Sequence, residues 1–178
     1  MLTAHQLENF IDQHSSIGRK VIQERAAWLR ALMCIPSGGR GLHAPTMRPE
    51  DAAKLLVACC IERSALTDGR PLHEYGTLRS VMTGDIDFGT LLTGLMVESS
   101  DLAAWVKEVR ILKNWPRARI IRRDNSQIDF LPRKLVVEPD IIHDELVLPI
   151  GFLRKLGGAL ADTEMTAEVD DDAGAAAA

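Results

Sequence analysis

Aromatic side chains are scarce. Four Phe, three Trp and one Tyr serve 178 residues, so the core must be built mostly from aliphatic side chains. No apolar run approaches the roughly 18 residues that a membrane-spanning helix requires, and no such span is expected. Residues 1–11 carry His5, Glu8 and Asn9 where a secretory signal would have an apolar run, so the expected compartment is the cytoplasm. Cysteine is nearly absent. Cys34, Cys59 and Cys60 are odd in number and fall in predicted helices, and the adjacent pair would face different sides. They read as reduced, buried thiols and not as a disulfide framework.

Signatures of catalysis are missing as well. Gly38-Gly39-Arg40-Gly41 follows a helix, not a strand, and lacks the Gly-Lys-Ser/Thr of a phosphate loop. His143-Asp144-Glu145 has no zinc-ligand spacing. His73-Glu74 and Asp85 with Asp87 stand as isolated groups, and no nucleophile has a local base. The chain is therefore read as a non-enzyme that uses no cofactor and no metal.

What is present is a globular composition, 46% apolar, with unevenly placed charge. The formal balance is −4, but residues 162–178 hold six acids and no Lys or Arg, which leaves 21 basic against 19 acidic residues in the body. That asymmetry speaks to partners, not to fold. The tail is low in complexity and is expected to be disordered, because it cannot bury enough surface to offset its ordering entropy.

The organising stretch is residues 17–61. A short helix over 3–14 precedes it, with Thr3 as a possible N-cap and His14-Ser15-Ser16 as a break. At 100° per residue, Ile17, Val21, Ile22, Trp28, Leu29, Leu32, Met33 and Ile35 fall on one arc of a helix over about 17–35. Arg19, Gln23 and Arg30 lie opposite, with Lys20 beside them. Arg25 falls inside the apolar arc, where a charge needs a partner, a route to solvent or a ligand. A glycine-rich loop over 36–46 follows. Pro49, Glu50 and Asp51 then suit the first turn of a helix over about 49–62, apolar on nearly all sides, although Arg48 makes a poor cap.

Helices are predicted over 72–82 and 87–97, with a further turn at 101–105. The pattern then changes to short β-branched segments at 106–112, 118–123 and 128–131, with a hairpin turn at Asp124-Asn125-Ser126 and a possible fourth strand at 134–137. Residues 106–134 hold nine Lys or Arg against three acids. Trp115 and Phe130 are too few rings there for a base-stacking platform. A last helix is expected over 149–160.

A basic helix, a Gly/Arg loop and a buried helix form what a winged-helix DNA reader can look like. Arg25, Trp28, Leu32, Pro36, Gly39-Arg40-Gly41 and Pro49-Glu50-Asp51 resemble the helix–wing–helix of MerR-like regulators. Gly39-Arg40-Gly41-Leu42-His43-Ala44-Pro45, followed by Arg48-Pro49-Glu50-Asp51-Ala52-Ala53, is similar to uncharacterised proteins of bacterial prophages. Together they imply a transcriptional regulator of phage or prophage type, expected to act as a homodimer because short operators are commonly read by symmetric pairs.

On this reading Arg19, Lys20, Gln23, Arg30, Arg40, His43 and Arg48 contact DNA. Lys107, Arg110, Arg117, Arg119, Arg122 and Arg123 form a second basic surface. It could meet phosphate or RNA, dock the acidic tail in cis, or be a solvated sheet face. The rival class is a non-enzymatic adaptor or assembly protein that binds a protein partner through this basic β-part. The expected fold is α+β, divided as a winged helix-turn-helix-like unit (1–65), a helical connector (66–105), a β-hairpin plus helix (106–161) and the tail (162–178).

Overall fold

The computed structural model describes residues 2–38, 44–66, 68–80, 86–97, 101–113, 115–132 and 144–161. The fold is α+β: a helical N-terminal half, a five-stranded antiparallel sheet and a closing helix.

Helix α1 (Ala4–His14) begins with a reciprocal capping box. The Thr3 hydroxyl accepts the Gln6 N–H at 3.4 Å, and the Gln6 side chain accepts the Thr3 N–H at 2.8 Å. Leu7 and Ile11, one turn apart, are fully buried. After the turn at Ser15-Ser16-Ile17-Gly18 comes α2 (Arg19–Ala31), which buries Ile22, Ala26 and Leu29. It is shorter than the predicted 17–35. Met33 takes a left-handed φ of 54°, the Met33 N–H donates to Arg30 O and the Cys34 N–H donates to Leu29 O. This paired closure is a Schellman motif, here built on a methionine where glycine is usual.

Helix α3 (Pro49–Ala58) is the central buried helix that the apolar sequence predicts; Ala52, Leu56 and Ala58 are fully buried. Arg48 stands at its cap, and the compensation comes from Asp51, whose carboxylate accepts the Arg48 N–H at 2.9 Å. The helix stops four residues short of the predicted end. Arg25, 6% exposed, lies across that end: its Nε donates to Ala58 O at 3.1 Å and its Nη2 to Ile61 O at 2.9 Å. The cation in the apolar arc is thus held chiefly by the last carbonyl of α3 and a carbonyl in the turn that follows it, with Glu24 no nearer than 3.9 Å. The cysteines correct one expectation, since all three lie just beyond helix ends and not within helices. Cys59 and Cys60 are still buried, and burial pushes the Cys59 thiol up to about 12 and raises Cys60.

The predicted helix over 72–82 is instead α4 (Arg70–Gly76) followed by a short edge strand, β1 (Arg79–Ser80). Helix α5 (Phe88–Gly94) is capped by Asp87, whose carboxylate accepts the Thr90 N–H at 2.8 Å. Helix α6 (Leu102–Trp105) leads directly into the sheet.

Strands β2 (Val106–Leu112), β3 (Ala118–Arg122) and β4 (Gln127–Leu131) follow the sequence expectation closely, with Asn125 at a left-handed φ of 63° in the β3–β4 turn. Strand β5 (Glu145–Pro149) is not among the expected strands; the one expected at 134–137 lies outside the described residues. Strand order is β1-β4-β3-β2-β5. Pro149 is tolerated as the last residue of an edge strand.

Helix α7 (Ile150–Ala161) starts immediately afterwards and buries Phe152, Leu153, Leu156 and Leu160. A Cβ on Gly157 would lie 1.7 Å from Met96 O, so α7 approaches the helical half closely only because that side chain is missing. Buried apolar residues of all seven helices named here and of strands β2–β5 form one cluster, and Phe88 of the predicted connector packs 5.7 Å from Phe130 of β4.

Candidate nucleic-acid interface

The start of α2 presents the first group of predicted contacts. Arg19, Lys20 and Gln23 are all exposed, and none has a hydrogen-bond or ion-pair partner among the described residues. Gly18 offers no side-chain cap, and the first turn contains no acid. Free N–H groups and the positive end of the helix dipole therefore coincide with two cations, a locally unfavourable arrangement that an anion relieves.

Arg30 is placed differently. Its Nη1 lies 2.9 Å from Glu8 Oε1 of α1, with side-chain exposures of 32% and 10%. Its charge is matched within the α1–α2 seam and does not extend the exposed basic face. Arg48 is exposed, but the Met47 N–H donates to Leu2 O at 2.8 Å and Thr46 bridges Thr3. That places Arg48 beside the start of α1, while Arg19 and Lys20 follow its end, about 16 Å away along an 11-residue helix. Arg40 and His43 lie outside the described residues.

The second basic surface divides in two. On the outer face of the sheet, Arg110 meets Glu108 at 2.6 Å and Glu145 at 3.4 Å, and the Glu108 hydrogen bond raises its already high pKa. Arg119 and Arg117 share Asp129, at 2.9 and 3.4 Å. Among the described residues, three cations thus face three carboxylates. At the β3–β4 turn the matching fails: Lys107, Arg122 and Arg123 have no carboxylate within 4.0 Å among the described residues.

The Arg122 guanidinium lies over the Trp105 ring, 5.0 Å from its centroid. Trp105 is not among the rings expected of the basic strands, which are Trp115 and Phe130. Phe130 is buried in the core. The signal for Trp105 was the register: Val106 pairs with Arg122, so the residue before the first strand must meet the end of the second.

Groups that look isolated in sequence also converge. His73 and Asp87 line one cavity of about 550 Å³ with Cys34, Glu50 and Lys54, walled by α3, α4 and α5. Two of its polar groups are already engaged: Asp87 caps α5, and the Lys54 ammonium donates to Cys34 O at 2.8 Å. Among the described residues no three His, Cys, Asp or Glu side chains gather as metal ligands, and no helix is long and apolar enough to cross a membrane. No family model matches the chain, and no curated protein or solved structure matches it either.

Proposed function

We propose that this chain is a non-enzymatic DNA-binding protein that docks the start of α2 on a duplex. The observation that carries the reading is the unpaired state of Arg19 and Lys20 at an uncapped helix start, preceded by a four-residue, glycine-ended turn from α1. Two helices joined by such a turn are the frame of a helix-turn-helix, whose second helix enters the major groove by its first residues. Arg19 and Lys20 then take phosphates. Gln23, one turn along, reaches a base edge, with adenine as its natural bidentate partner. A transcriptional regulator of phage or prophage type, acting as a homodimer, is the biological form of this reading, and it rests on the resemblance within residues 25–53.

The second reading is an adaptor that uses the β-part. It is favoured by the balanced outer sheet face, which resembles a protein-docking surface more than a phosphate-binding one, and by Val147, 41% exposed on edge strand β5.

Duplex binding measured against salt separates them. Log affinity falls with log salt by about 0.9 for each phosphate contact, so Arg19→Ala with Lys20→Ala should flatten the slope by ~1.8. Gln23→Ala should cost about 1–3 kcal/mol on a preferred site and little elsewhere. An unchanged slope in the double variant would remove α2 from the interface.

A further inference from the structure

The β3–β4 turn and the end of α6 form a feature that duplex docking by α2 does not use. Trp105 is half-buried, and its carbonyl accepts the Arg123 N–H at 2.9 Å, which ties the ring to the turn. Ala104, Trp105, Arg122, Arg123 and Asp124 line an open cleft. Lys107 sits at an irregularity of register between Val106 and Glu108; it is exposed, with its ammonium 3.1 Å from Asn125 Oδ1 of the same turn.

Asp124 is the acid of the cleft, and its carboxylate is occupied. The Ser126 hydroxyl and N–H both donate to Oδ1, at 2.7 and 2.9 Å, and hold this group below the usual carboxylate range. Three cations therefore remain with one acid already engaged by its own turn. The Arg122 Nε is shut off from solvent and has no acceptor among the described residues, so the outward part of the guanidinium is what a ligand can meet. The guanidinium also lies over one face of the indole, and an unpaired base can stack on a guanidinium as it does on an aromatic ring.

We propose that Trp105, Arg122, Arg123 and Lys107 form a binding site for a single nucleic-acid strand. Arg123 and Lys107 take successive phosphates, and one base stacks against the Trp105–Arg122 pair. A free phosphate would use the cations and leave the stack idle; a paired base keeps its faces covered by its neighbours. An unpaired strand engages both parts. The site stands apart from the α2 residues, although β3 and β5 end at the same end of the sheet where β2 begins. The Ser15-Ser16 turn before α2 borders a groove with Val147 and Pro149 of β5.

The test is fluorescence anisotropy of the full chain with labelled oligothymidylate and oligouridylate across a salt series, with a DNA duplex as competitor. Binding of either strand at low salt is expected. Trp105→Ala should weaken it about tenfold, the loss of one stacked base. Trp105→Phe should keep most of the affinity, which separates stacking from damage to the fold. Arg122→Lys keeps the charge, loses the planar group and should fall between the two. Arg123→Ala should flatten the salt slope by about 0.7. Arg19→Ala with Lys20→Ala should bind the single strands as the parent does, so failure of the α2 reading leaves this result standing. Absence of binding by both strands, equal binding by the Trp105→Ala variant, or competition by duplex as strong as by single strand would each overturn the proposal.

Discussion

Helix α2 and the basic strands look alike as lists of charge and are opposite as surfaces. Residues 19–30 hold Arg19, Lys20, Arg25 and Arg30 with Glu24 as the one acid. Residues 106–131 hold seven cations and three acids. On the outer sheet face, the two-residue period and antiparallel register return acids to Arg110, Arg117 and Arg119, though not to Arg122 and Arg123 at the turn. Arg119 lies directly across from Asp129, and β5 contributes Glu145 beside Arg110 from 35 positions away. On α2, the helical period sends the cations to different environments: Arg25 into the core, Arg30 into a seam, Arg19 and Lys20 into solvent. A segment's charge therefore says little about the field it presents until the fold has shown which charges are matched.

The sharpest break in that comparison lies within α2 itself. Arg25→Met removes the donors to Ala58 O at the end of α3 and to Ile61 O just beyond it, and leaves the latter in an apolar setting. The expected loss is about 3 kcal/mol of stability, read as a shift in the denaturation midpoint with an unchanged m-value. DNA affinity per folded molecule should not move. Arg30→Ala should cost less, about 1–2 kcal/mol, because it strands the largely buried Glu8 carboxylate. It should also leave the salt dependence of DNA binding alone. If Arg30→Ala weakened DNA binding as much as Arg19→Ala, the seam ion pair would have to open on the duplex, and the division of α2 into structural and contacting cations would fail.

Much of the fold was legible in the sequence because local rules decided it. Thr3 as N-cap with the apolar spacing after it announced α1, Pro49-Glu50-Asp51 announced α3, and Asp124-Asn125-Ser126 announced the hairpin. The misses trace to tertiary effects. Met33 adopts a glycine-like conformation that no propensity suggests. Strand β1 is two residues long and exists only through its pairing with β4. Strand β5, Glu-Leu-Val-Leu-Pro, is too short to stand out beside the helix it adjoins. For the site, exposure of Arg19, Lys20 and Gln23 followed from the helical period, but the partner of Arg30 did not, because Glu8 lies 22 residues away. Trp105 was missed because a single ring before a strand carries no local signal, and only the β2–β3 register brings two arginines to it.

The smallest expected change gives a direct test of the matched sheet face. Asp129→Asn removes the carboxylate shared by Arg117 and Arg119 while keeping its shape. These are partly solvated pairs, so the stability cost should stay within about 1 kcal/mol. Loss of the Asp129 charge should make this face more positive. Low-salt affinity for duplex DNA of any sequence should rise, with a steeper salt slope, and the gain should vanish at physiological ionic strength, where screening acts over about 8 Å. Unchanged low-salt binding would mean that Asp129 does not hold these two cations away from phosphate, and the sheet would then differ from α2 in shape and not in charge.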